Sequence, residues 1–120
     1  MRKWNDTFSP QKFYESSSAT NYAYAESIPT NDAGLFVVKT ATSNGYHRTL
    51  SFDIIINTRL VLTMYKSEIK ISVFCHELGH AIGLLDLSSG TAIMNVNRDR
   101  ATLYTPQADD IIGAIANWDR

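Results

Sequence analysis

The sequence predicts an α+β fold, and three features lead to that class. Two runs rich in β-branched and aromatic residues, 35–40 and 47–57, flank an Asn44 and Gly45 turn. A helical pattern that stops at a glycine then covers residues 67–83. A second helical pattern, opened by Thr105 and Pro106, closes the chain.

The elements follow in order. Residues 5–34 are polar and mixed, with three serines at 16–18 and a turn region at 29–34; a short helix over 11–16 is the one element suggested there. Residues 35–40 read as a strand, Ser43, Asn44 and Gly45 as a hairpin turn, and 47–57 as a second strand with a buried run at 52–56. The next helix is expected to start at Ser67 as N-cap, with Glu68 suiting the positive end of the helix dipole. Ile69, Val73, Ala81 and Leu84, with Ile82 adjoining, form its packing face, which leaves His76 and His80 facing a cleft. Residues 85–104 read as an irregular loop. The last helix takes Thr105 as N-cap, Pro106 at its first position and Asp109 and Asp110 in its opening turn, explained by the dipole. Ile111, Ile112, Ile115 and Trp118 are its core-facing stripe.

Bulk properties narrow the function. At 120 residues and 44% apolar content the chain, 1–120, forms a single domain with a modest core. A net charge of −1 with His neutral gives no basic field for nucleic acid or an anionic membrane. No stretch approaches the roughly 18 apolar residues of a membrane span. Cys75 is the only cysteine, which excludes an internal disulfide; it reads as a buried free thiol rather than a metal or redox group.

The most informative stretch is 76–86, His-Glu-Leu-Gly-His-Ala-Ile-Gly-Leu-Leu-Asp. Residues four apart on a helix share a face, so His76 and His80 can both reach one ion. Glu77 lies about 100° further round, able to touch water at that ion without being a ligand. Gly83 is placed to end the helix in a left-handed conformation, after which the chain can bring Asp86 back as a third ligand. Two imidazoles and a carboxylate leave a fourth position open, as a catalytic metal site needs. Met94 follows in a turn-like setting after Ser88, Ser89, Gly90 and Thr91.

This combination resembles the metzincin metallopeptidases, in particular their small matrixin-like and snapalysin-like members, over about residues 50–119. Most of that clan has histidine where this chain has Asp86. The resemblance implies a zincin-like fold, with a mixed, twisted sheet packed on the active-site helix and a C-terminal helix after the methionine turn. It implies a Zn2+ cofactor held by His76, His80 and Asp86, with Met94 packing beneath the metal. Zinc would acidify a bound water and polarise the scissile carbonyl, while Glu77 acts as general base and then delivers the proton to the departing amine. A peptide or protein substrate is expected to lie extended along an edge strand, for which 35–40, paired with 47–57, is the candidate. The neighbouring side-chain pocket is expected between the zinc helix and the residues after Met94. Tyr104 is weighed as a wall residue against the more ordinary role of a core tyrosine. Some metzincins carry a metal-switching tyrosine two residues after the methionine; Val96 stands there, so no such switch is expected. His47 reads as a surface or structural histidine.

By resemblance the chain is expected to be exported and monomeric, although no secretion signal is visible at its start. The family carries a strand and a long helix ahead of the middle strands, often ending in a Trp-Asn pair. Trp4 and Asn5 fit that pair, so the chain is expected to lack part of the usual N-terminal half. A zincin with a glutamate as third ligand is excluded, because no glutamate follows Glu77. The alternative is a catalytically weak or inactive zincin-fold module that binds a peptide or protein.

Overall fold

The computed structural model describes residues 1–41, 49–60 and 66–118. A single helical turn, α1 (Arg2–Asn5), is followed by strands β1 (Tyr22–Glu26), β2 (Gly34–Ala41) and β3 (Thr49–Asn57), and then by helices α2 (Ser67–Ile82) and α3 (Ala108–Trp118). The three strands form one mixed sheet in the order β1-β3-β2. β1 runs parallel to β3, from Tyr22 opposite Asp53 to Glu26 opposite Asn57, and β2 runs antiparallel to it. The α+β class and the pairing of the two predicted strands are therefore observed. The Ser43–Gly45 turn expected between them, and His47, lie outside the described residues.

The central strand is the one with the apolar run. Ile54 and Ile55 of β3 are buried, because a strand flanked on both sides and covered by α2 has little surface left for water. β1 is a correction to the reading of 5–34, where no strand was expected. Its five residues, Tyr-Ala-Tyr-Ala-Glu, are all exposed and carry no apolar alternation, so nothing in the pattern announced a strand. It is held by backbone pairing to β3 and by Lys39, whose ammonium lies 3.1 Å from Asp53 and 4.8 Å from the centre of the Tyr22 ring. The helix expected over 11–16 is also corrected. That segment is irregular and is fixed by a reciprocal pair of bonds, Asn5 Nδ2 to Phe13 O and Phe13 N to Asn5 Oδ1.

The core joins all layers: Trp4, Ile54, Cys75, Leu78, Ile93, Met94 and Ala114. Trp4 is fully buried, and its indole N–H donates to the Cys75 carbonyl at 2.9 Å, which anchors α1 to the middle of α2. Asn57, at the end of β3, accepts from the Ile28 and Arg59 amides and donates to the Thr30 and Asp32 carbonyls. One buried amide thereby shapes the loop that leads into β2.

Helix α2 starts at Ser67, where it was expected, but its cap and the start of α3 differ from expectation. Lys66 is the N-cap of α2, without a side-chain cap, and Ser67 is already helical. Helix α3 begins at Ala108 rather than near Thr105, because the Asp110 carboxylate reaches back to accept the Gln107 amide at 2.7 Å and caps the first turn there. The apolar stripe assigned to α3 is corrected as well. Ile112 is 65% exposed and Trp118 55%, while Asp110 and Ala114 are the buried residues. Helix α2, conversely, is buried over a wider arc than a single stripe, including Ser72, Cys75 and Leu78 beside Ile69 and Val73.

Candidate metal centre

Helix α2 and the turn after it bring His76, His80 and Asp86 together. Their ligand atoms all lie within 4.8 Å of one another. Asp86 Oδ1 is 3.0 Å from His76 Nε2 and 3.1 Å from His80 Nε2. The turn does this as its glycine suggested. Gly83 has φ +102°, open to glycine without steric cost, and its amide and that of Leu84 close the helix on the His80 and Gly79 carbonyls. Beyond the turn, Leu87 donates to the Met94 carbonyl and Val96 to the Leu87 carbonyl, both at 2.9 Å, so the Asp86 segment is stitched to the Met94 segment.

The tautomers of the two histidines follow from their other nitrogens. His76 Nδ1 is 2.9 Å from the Ile93 carbonyl and His80 Nδ1 is 2.8 Å from the Leu84 carbonyl. A carbonyl only accepts, so each Nδ1 carries a hydrogen, and in a neutral ring Nε2 then presents the lone pair. Burial pushes His76 down to about 4, which keeps that ring neutral and makes its contact with Asp86 no salt bridge. With both rings neutral, three electron-rich atoms face one another with no hydrogen between them. Such a cluster is favourable only with positive charge at its centre, so the donor set fits a metal ion.

Glu77 lines the same cleft, of about 430 Å³, as His76, His80 and Asp86. It is 7% exposed. Burial first, and then the Asp86 charge, raises its carboxyl to about 7. Gly34, Leu35 and Phe36 at the start of β2 form another part of the lining, and among the described residues β2 has a strand neighbour only on its β3 side. The expected edge strand thus borders the site.

Met94 is 1% exposed and lies against α2 at Gly79, between the two histidines in sequence. A side chain at Gly79 would run into Met94 Sδ, so that close approach requires glycine. Asp110 holds the methionine turn from below: its two oxygens accept the Ile93 amide at 2.7 Å and the Met94 amide at 3.2 Å. It is 2% exposed, a structural clamp where the sequence suggested only a partner of the helix dipole. Cys75 is buried, and desolvation raises its thiol to about 11, in line with an inert core residue. Tyr104 does not line the cleft; it lies 6.0 Å beneath the Lys3 ammonium. Val96 does line it, at the position where a switching tyrosine would stand.

Sequence reasoning missed Arg98. It is buried and donates to Ser72 Oγ at 2.9 Å, Ser72 O at 3.1 Å and Asn95 O at 3.0 Å, tying α2 to the loop after Met94. Its Nη1 is also 3.4 Å from His76 Nδ1, a contact and no hydrogen bond, since both nitrogens carry hydrogen. An arginine in an irregular loop has no periodic signal to mark it. No family model, curated protein or solved structure matches the chain, so the site is read from its own geometry.

Proposed function

We propose that this chain is a zinc-dependent metalloendopeptidase with a zincin-like fold of the metzincin kind. The observation that carries the reading is the meeting of two imidazole lone pairs and one carboxylate oxygen beside a buried glutamate in one cleft. That donor set suits zinc, which takes nitrogen and oxygen ligands together, better than calcium or magnesium, which take oxygen. His76, His80 and Asp86 would hold the ion. When bound, zinc supplies Lewis acidity toward a peptide carbonyl and toward water.

The rest is done by the chain. Glu77 takes a proton from water as its oxygen adds to the carbonyl carbon, and returns a proton to the amine nitrogen as the C–N bond breaks. The Ile93 and Leu84 carbonyls hold the two imidazoles in the tautomer that leaves Nε2 free. The edge of β2 that pairs with no strand among the described residues offers backbone groups to an extended peptide.

The test measures zinc content and cleavage of a broad peptide library for the native chain and for Glu77→Ala. We expect equimolar zinc in both and a loss of cleavage in the variant of roughly 100- to 10,000-fold. Native protein that holds zinc and cleaves nothing would instead be a peptide-binding module. Protein that takes up no zinc would be neither.

A further inference from the structure

The residues after Met94 put two guanidinium groups, Arg98 and Arg100, on the cleft that holds the metal donors. They are not equivalent. All three kinds of nitrogen in Arg98 donate to neutral oxygens of Ser72 and Asn95, so Arg98 is a strut. Arg100 makes no hydrogen bond or ion pair with any described residue, and its Nε is buried without a partner. Three carboxylates, Asp32, Glu77 and Asp86, line the same cleft, yet none is within ion-pair distance of Arg100. Its two terminal nitrogens are not enclosed in this way and make no bond to a described residue, so they can donate to an acceptor that a ligand brings into the cleft. The planar guanidinium fork matches a carboxylate through two parallel bonds. With a divalent cation on His76, His80 and Asp86, the two guanidinium groups and the ion carry more charge than the three carboxylates, which further favours an anionic ligand group.

We propose that Arg100 is a specificity-determining residue that receives a carboxylate of the peptide seated in the cleft. This rests on the peptidase reading above. An acidic side chain near the scissile bond and a free C-terminus offer the same chemistry. Both offer an acceptor to the unpaired terminal nitrogens, whereas an apolar side chain offers none.

Fluorogenic peptides of one parent sequence test this. One set carries Asp scanned through the positions around the scissile bond with an amidated C-terminus, the second carries Asn at those positions and is amidated, and the third carries Asn with a free C-terminus. In the native protein we expect kcat/KM for one carboxylate-bearing set to exceed that for the neutral set by about tenfold or more. The set that gains identifies the source of the carboxylate. In Arg100→Gln the ratio should fall to about one, and Arg100→Lys should recover part of it, because charge remains and the fork does not. A native ratio near one, or an unchanged ratio in Arg100→Gln, overturns the proposal. Should no peptide be cleaved, the peptidase reading fails by itself, and binding decides the role of Arg100. Fluorescence anisotropy of the same peptides on zinc-loaded Glu77→Gln would then show about tenfold tighter binding of a carboxylate-bearing set, lost in the double variant with Arg100→Gln. Equal binding of all sets overturns the proposal there too.

Discussion

Between Ile69 and Gly79 of α2 eight residues are buried, among them two with polar side chains that face the metal site, whereas every residue of β1 is exposed. The two regions are also joined differently to the rest of the chain. Helix α2 is tied to the loop behind it by side-chain bonds from Arg98 and His76, and that loop is tied to α3 by Asp110. β1 is attached to the sheet by its backbone and by an exposed cation at Lys39. Positional accuracy is concentrated where ligands must converge, and the outer strand tolerates more. This is what a metal site requires, since donors held by locked neighbours lose little freedom on binding the ion.

The contrast can be broken from the site side first. Asp110→Ala removes the acceptor of two buried turn amides and of the Gln107 amide, and should cost about 4 kcal/mol of stability, read as a lower urea midpoint. Met94→Ala empties the space beneath Gly79 and should cost about 3 kcal/mol in the same assay. A loss under about 1 kcal/mol in either would mean that the turn is not the rigid floor described. Asp86→Ala should act otherwise. It should weaken zinc binding by about 100-fold, close to 2.7 kcal/mol, measured by chelator competition. The metal-free protein should be no less stable than before, because a carboxylate facing two lone pairs is removed. Unchanged affinity would show that another group is the third ligand. The smallest effect belongs to the sheet: Lys39→Ala should cost no more than about 1 kcal/mol, as exposed ion pairs do. A larger loss would make the outer face as demanding as the site.

How much of this was legible in the sequence follows the same divide. The helix, its glycine stop, the two histidines, Asp86 and Glu77 lie close together and obey local rules, so their spacing predicted where they meet. β2 and β3 were legible because their composition is that of strands. β1 was not, since alternating alanine and tyrosine exposed to water leaves no one-sided pattern; its pairing with β3 is tertiary. Asp110, Arg98 and Asn57 were read as dipole partner, loop residue and strand end. Their work is hydrogen bonding to backbone far away in sequence, and spacing carries no trace of it. The stripe on α3 failed for a related reason: periodicity gives a face, and which face turns inward was decided by the Asp110 clamp.

The carbonyl that aims His80 belongs to Leu84, one residue past the helix stop. It occupies that place because the coil has already ended at Gly83. Termination of α2 and alignment of a ligand are thus a single event. Fraying of the last turn would disengage His80 and carry Asp86 away with it, so escape of the ion would be timed by the unwinding of one turn.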